Sequence, residues 1–383
     1  MIRLALLTSN VAAADAIEQM VQDAGIFELV YRGLVVPAID SEVRQLCSAD
    51  PDIILLEISD WQRVSQVAAQ LNRASRRGAL VGFRGEWSSD EQKGFAEVGI
   101  VELLHEPFSP MDLEKAAHRA VHRRQPLTHQ NLLAFLPSKA GSGCTTVALN
   151  TAAALADDLN QRTLLVEADR RSGTLSMLLD VEGRGGLAEV LARSGALTGV
   201  EWSQQIPSIG KLDLLLANPF KPGPLPSWVN YYQMLLFAQK QYDFIVVDLP
   251  EVVNPATTEL LSVAQRTFIV CQPEVTSLKL VAVRRADLES CGVPTEKIYV
   301  LGNRWDPRRL EREDVVRTAS APMFAALPND YEHVKNAALE SRLVFRNSPF
   351  GNACAALARR LANAPEMGPS GPLARLWRRF TNT

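Results

Sequence analysis

The chain has 383 residues, 47% hydrophobic and 22% charged, and 40 Lys+Arg against 43 Asp+Glu give a formal net charge of −3. This length holds two or three domains, the apolar content excludes a disordered chain, and the near-balanced charge excludes a protein whose main task is coating nucleic acid. Cys47, Cys144, Cys271, Cys291 and Cys354 are scattered and never spaced as CxxC, which reads as reduced thiols, not a disulfide framework or zinc site.

The chain opens on Ile2–Leu7, a short apolar run that Thr8, Ser9 and Asn10 interrupt too early for a signal peptide. No stretch approaches the roughly 18 apolar residues a membrane span requires, so the body of the protein is expected in the cytoplasm. Ala12–Ala24 has helical character, and Ile53–Ile58 is a strand after the turn at Ala49–Asp52. A helix over Val64–Arg76, a strand at Ala79–Phe83, a helix near Ser89–Val98 and a helix over Pro110–His122 follow. Alternation of this kind predicts βαβ units and a parallel sheet over residues 1–122. Ser109-Pro110 supplies the last helix with a cap and an N1 proline. In that helix His118 and His122 stand i, i+4; no third metal ligand is evident, and arginines on either side favour a solvated helix face. The polar stretch 123–131 breaks the pattern and is the expected linker.

A second α/β region is expected over 132–365. Its strand candidates are Leu132–Leu136, Thr163–Glu167, Leu212–Leu216, Phe244–Asp248, Thr267–Cys271 and Ile298–Leu301, continuous apolar runs suited to parallel strands covered on both faces. The fold class is therefore α/β, with two doubly wound parallel-sheet domains. Between the first two strands of the second region lies Ser138-Lys139-Ala140-Gly141-Ser142-Gly143-Cys144-Thr145-Thr146, a small-residue loop entering a helix. Strand, loop and helix in this order aim backbone N–H groups at one point, as phosphate binding requires. Thr145 stands where a loop hydroxyl would ligand Mg²⁺, while Ser138 replaces the first glycine of GxxxxGK[ST] and Cys144 replaces its lysine. Taken alone, the loop is equally compatible with ordinary α/β packing.

Two further strands deliver Asp169 and Asp248 near their carboxyl ends, where ligands of open α/β sheets bind. Asp248 suits the water shell of Mg²⁺. Asn303, ending another strand, can pair with an adenine edge.

With these segments in place, the set resembles the deviant-Walker ATPases of the MinD/ParA type, Lys139–Thr146 standing for KGGxGKTT. The resemblance implies binding of ATP with Mg²⁺ by Lys139, Ala140, Gly141, Ser142, Gly143, Cys144, Thr145, Thr146, Asn303 and Pro328. It implies a homodimer in which Lys139 reaches the partner's nucleotide, Asp169 orients the attacking water, and Asp248 is the Walker B acid. Ala140 and Glu167 depart from the usual Gly and Asp. The absent lysine at Cys144, together with Ala168–Leu175, Leu179–Val181, Gly186–Leu191, Gln272–Leu278, Asn303-Arg304 and Leu327–Tyr331, resembles the CpaE/TadZ pilus-assembly proteins. That subgroup implies a positioning factor for a type IV (Flp/Tad) pilus or secretion apparatus, with slow ATP hydrolysis. A ParA-like DNA-segregation ATPase and a nucleotide-free scaffold are the alternatives.

In the first domain Pro51–Glu57 and His105–Ser109 resemble a response-regulator receiver. Glu57 and Glu106 replace the phosphoacceptor Asp and the Lys, so a pseudo-receiver is expected. Cys144 has a second reading, as a thiol activated by the helix N-terminus. The run Arg304–Arg312 suggests either a DNA-facing patch or, with Glu311, Glu313 and Asp314 interleaved, a charged surface helix; DNA is not the expected partner. After a joint beginning at residue 366, Leu373, Leu376, Trp377 and Phe380 follow i, i+3, i+4, i+7 with three arginines opposite. That tail reads as a peripheral inner-membrane contact or as a helix packed on its own domain.

Overall fold

The structure is a computed structural model that describes residues 1–33, 40–127, 131–181, 186–306 and 312–364. It divides into two compact units, Met1–Thr128 and His129–Thr383.

In the first unit, β1 (Ile2–Leu7), β2 (Phe27–Gly33), β3 (Ile53–Glu57), β4 (Ala79–Arg84) and β5 (Ile100–His105) form a parallel sheet ordered β2-β1-β3-β4-β5. Helices Val11–Ala24, Asp40–Ser48, Trp61–Ala74 and Ser89–Glu97 connect the strands, and Pro110–Arg124 follows β5. The central strands are buried on both faces, as their unbroken apolar runs require. Ser109 caps the last helix, its hydroxyl accepting from Asp112 N–H while the Asp112 carboxylate accepts from Ser109 N–H. This helix extends past His122 into the stretch expected to be linker. Arg124 donates to the Asn72 side chain and to the carbonyls of Asn72 and Ser75, contacts that hold the last turn in place.

In the second unit, β6 (Leu132–Pro137), β7 (Thr163–Glu167), β8 (Ser208–Ile209), β9 (Leu212–Leu215), β10 (Phe244–Asp248), β11 (Arg266–Cys271), β12 (Ile298–Trp305) and β13 (Met323–Pro328) form one sheet. Its order is β13-β12-β11-β6-β10-β7-β9-β8. All its pairings are parallel except the short β8–β9 pair. The α/β class with doubly wound parallel sheets is thus as the sequence predicts. β6 lies between β10 and β11, so the loop that follows it opens beside the carboxyl ends of both neighbours. Phe135, Phe268 and Phe324 pack in sequence across the sheet, with ring centroids 5.2 Å apart at each step. The helix Cys144–Ala153 is rich in Ala and Thr and lies almost wholly buried against this sheet. At one edge, the Arg360 guanidinium donates to the Phe324 carbonyl of β13.

Candidate functional site

β6 delivers the chain into Ser138–Gly143, where Gly141 and Gly143 both take left-handed conformations, φ 77° and 85°. A Cβ on Gly143 would stand 2.3 Å from Asn303 Nδ2, so this position needs glycine for space as well as conformation. Gly143 is also the N-cap of the following helix and supplies no side-chain hydrogen bond to it. The first N–H groups of that helix therefore lack the side-chain partner a Ser or Asp cap would give, and the positive end of the helix dipole sits with them.

Side chains from three neighbouring strand ends hold successive peptide groups of the loop. Ala140 N–H donates to Glu251 Oε2 at 2.9 Å, Gln272 Nε2 donates to the Gly141 carbonyl at 2.8 Å, and Asn303 Nδ2 donates to the Ser142 carbonyl at 2.8 Å. Ser138, standing where a glycine is usual, is buried with its hydroxyl 2.8 Å from that of Ser277. The Lys139 ammonium pairs with Glu274 at 2.8 Å.

Opposite the loop, Asp248 ends β10 in register with Glu167 at the end of β7. Asp248 is buried beside Thr145 and Cys144, and its Oδ1 has no hydrogen-bond partner among the described residues. Burial, with the charge of Glu167 in support, pushes its carboxyl from 3.8 up to about 7, although the nearby Thr145 hydroxyl favours the charged form. Glu167 is raised to about 7 chiefly by burial; its Oε1 accepts Leu175 N–H at 2.8 Å and its Oε2 accepts Ala217 N–H at 3.0 Å. Glu167, the departure from the usual Asp, thus braces the two loops that follow β7 and β9. Asp169 lies just beyond, its Oδ1 accepting from Arg171 N–H at 3.2 Å and Ser172 N–H at 2.9 Å.

A hard divalent cation seeks oxygen donors. The Thr145 hydroxyl, beside a buried carboxylate with one unsatisfied oxygen, fits that need. The activated-thiol reading of Cys144 does not survive: the side chain is 5% exposed, and burial followed by the Asp248 charge drives its pKa well above the usual thiol value.

The structure brings Lys139 through Thr146, Asp169 and Asp248 to the carboxyl ends of β6, β7 and β10. Thr146 is half-buried, its carbonyl accepting from Asn150. Asn303 is engaged through Nδ2 with Ser142 and through Oδ1 with Arg304 N–H, so its amide braces the loop here. Pro328 ends β13 beside Trp305. Sequence reasoning assigned no role to Glu251, Gln272 or Glu274, although the latter two lie in the segment Gln272–Leu278. Leu373, Leu376, Trp377 and Phe380 lie outside the described residues, as do Arg308 and Arg309. Among the described residues, no helix is long and apolar enough to cross a membrane.

In the first unit, Glu57 Oε2 accepts from the Thr8 hydroxyl and Ser9 N–H, both at 2.7 Å, and from the Ser9 hydroxyl at 3.0 Å. Its pKa is lowered although burial opposes this, because these donors and Asn10 N–H favour the charged form. Glu106 is raised by burial and by the Glu57 charge.

A parallel sheet whose central strand feeds a glycine-bent loop, an uncapped helix and a buried aspartate on the next strand defines a P-loop nucleotide-binding type of fold. No family model matches the chain. The septum site-determining protein MinD of Thermotoga maritima is 25% identical over 210 residues, covering 52% of this chain and 75% of that protein. An uncharacterised ATP-binding protein of Methanocaldococcus jannaschii is 24% identical over 242 residues, 61% of this chain and 89% of that protein. The ParA family ATPase of Chlorobium tepidum superposes with a TM-score of 0.55 at 20% identity, over 60% of this chain and 98% of that one. A chain of the MinC:MinD cell division protein complex of Aquifex aeolicus superposes at 0.52 with 23% identity, over 63% of this chain and 100% of that one. The second unit has the MinD/ParA-type P-loop fold.

Proposed function

We propose that this chain is a nucleotide-switched positioning factor that binds Mg-ATP and closes into a homodimer. The observation that carries the reading is the buried Asp248, beside Thr145 and a pre-bent glycine loop, with one carboxylate oxygen unsatisfied. In this reading Thr145, and Asp248 through water, hold the magnesium, which supplies charge neutralisation at the phosphates when bound. The N–H groups of residues 141–146 hold the phosphate oxygens. Lys139 exchanges Glu274 for the nucleotide of a second copy and so provides the cation that Cys144 does not. Asp169 orients the attacking water. With one cation per chain missing from its own site, turnover is slow and nucleotide retention depends on dimerisation.

The segments resembling the CpaE/TadZ proteins support assignment to a type IV (Flp/Tad) pilus or secretion apparatus. The name of the Thermotoga relative, a septum site-determining protein, supports a positioning role more broadly. The hydroxyl-bound Glu57 supports a pseudo-receiver that docks or dimerises without being phosphorylated. Asn303 and Pro328 line the base side of the nucleotide, and the 373–380 tail adds weak contact with anionic lipid at the inner membrane or cell pole.

The test is equilibrium Mg-ATP binding combined with sedimentation analysis. Wild type should bind Mg-ATP and self-associate, and Lys139→Ala should stay monomeric and hold the nucleotide more weakly. Self-association of Lys139→Ala equal to wild type overturns the trans role. One observation favours a second reading, a scaffold without nucleotide: the Lys139 ammonium is already paired with Glu274. Absence of Mg-ATP binding at millimolar nucleotide selects it, and salt-sensitive, ATP-dependent DNA binding would select a segregation role instead.

A further inference from the structure

The loop's hydrogen bonds come from residues far apart in the chain, and one of them is charged. Glu251 stands just beyond β10 and accepts Ala140 N–H through Oε2 at 2.9 Å. Its other oxygen is held by Arg284 Nη2 at 2.8 Å, and the same guanidinium reaches Asp287 at 3.3 Å. Arg284 projects from the helix Val275–Ser290 and is largely buried, with side-chain exposure of 17%. A planar guanidinium fixed at two points fixes the carboxylate in turn.

A carboxylate accepting a backbone N–H is about twice as strong a contact as a neutral pair. Gln272 and Asn303 then hold the two carbonyls that follow, so three consecutive residues of the loop are tied to three strand ends. A glycine-bent loop is entropically costly to order, because Gly141 and Gly143 have more freedom to lose than other residues. In a standard loop the lysine at the helix start, drawn to the phosphates, helps set this shape once ligand is present. Here Cys144 cannot.

We infer that Glu251, oriented by Arg284, is a positioning residue that keeps the phosphate loop in its binding shape before any ligand arrives. The inference rests on the nucleotide-binding reading of this loop. The Ala140 N–H it holds precedes the stretch from Gly141 into the helix that converges on the phosphates, so the carboxylate braces the loop from its rim. The ligand class is a polyphosphate, which benefits from a loop ordered in advance.

Two measurements on the full chain test this. The first is amide hydrogen exchange of the peptide spanning residues 138–146 without ligand. The second is equilibrium binding of Mg-ATP, with pyrophosphate as a base-free probe. Glu251→Ala should speed exchange in that peptide and weaken both ligands by roughly tenfold, the worth of one charge-assisted hydrogen bond. Glu251→Gln retains an acceptor and should restore most of both properties. Arg284→Ala should resemble Glu251→Ala in exchange, because the carboxylate loses its guide. Tighter binding by Glu251→Ala would show that the carboxylate competes with phosphate, and the inference fails. Unchanged exchange in Glu251→Ala also defeats it, whether or not the wild type binds nucleotide. If exchange responds as expected while no form binds either probe, the loop brace stands and the nucleotide reading falls.

Discussion

Replacing Asp248 with Asn should stabilise the ligand-free protein above neutral pH and remove its response to magnesium. Asp248 is buried, and its carboxyl is held at about 7 in place of 3.8. The folded chain thus keeps a proton that the unfolded chain releases near 4. The group favours folding fully below that value, loses this contribution as pH rises toward 7, and carries a fixed penalty above it. The distance from 3.8 to about 7 corresponds to on the order of 4 kcal/mol. For a unit of this size that is about 10 °C in melting temperature. Asn is neutral at every pH and nearly the same shape as Asp. It also relieves Glu167, whose charge is one cause of the Asp248 shift. Calorimetry should therefore show the variant melting well above wild type at about pH 8, with the gap closing toward about pH 4. Millimolar Mg²⁺ with ATP should raise the wild-type melting temperature at the higher pH and leave the variant unmoved. Equal destabilisation of the variant at both pH values would refute the assignment of a buried, uncompensated carboxylate.

Three further outcomes follow from contacts described above. Gly143→Ala forces a left-handed φ on a residue with a Cβ and drives that Cβ into Asn303, so it should cost about 1–3 kcal/mol and weaken Mg-ATP binding, read by chemical denaturation and calorimetry. Cys144 should resist iodoacetamide in the folded protein at about pH 8 and react only on unfolding, as peptide mapping by mass spectrometry would report. Thr8→Val removes a donor to Glu57 and should destabilise the first unit by about 1–2 kcal/mol. Because Glu57 is held below its ordinary 4.5, that loss should be present above this value and fade as pH falls through the folded-state pKa, measurable by denaturant titration at several pH values.

Strands buried on both faces were legible because burial writes itself into the sequence as an unbroken apolar run. β7 and β10 fall on Thr163–Glu167 and Phe244–Asp248, the limits expected from those runs. β2 was not, since Glu28 and Arg32 stand exposed within an edge strand. β5 was missed for a related reason: three of its residues are only half-buried, and Glu102 interrupts the apolar pattern to pair with Arg119 and Arg123. The loop itself was visible, being local in sequence. Its supports were not, because Glu251, Gln272 and Asn303 reach it across 111, 131 and 161 residues. Asn303 was singled out for its hydrogen-bonding groups, and only the fold shows the backbone carbonyl to which one of them is committed. Glu167 looked like a mere departure from pattern until two loop amides were found on its oxygens.

The margins of the larger sheet bear on how copies of this chain meet. One margin is a two-residue antiparallel strand, Ser208–Ile209, and at the other an arginine already occupies a carbonyl of β13. The first leaves almost no open backbone for a stranger's strand to zip onto, and the second has one of its acceptors already spent. Growth by fusing sheets side to side, the route to fibres, is discouraged most at the Ser208–Ile209 margin.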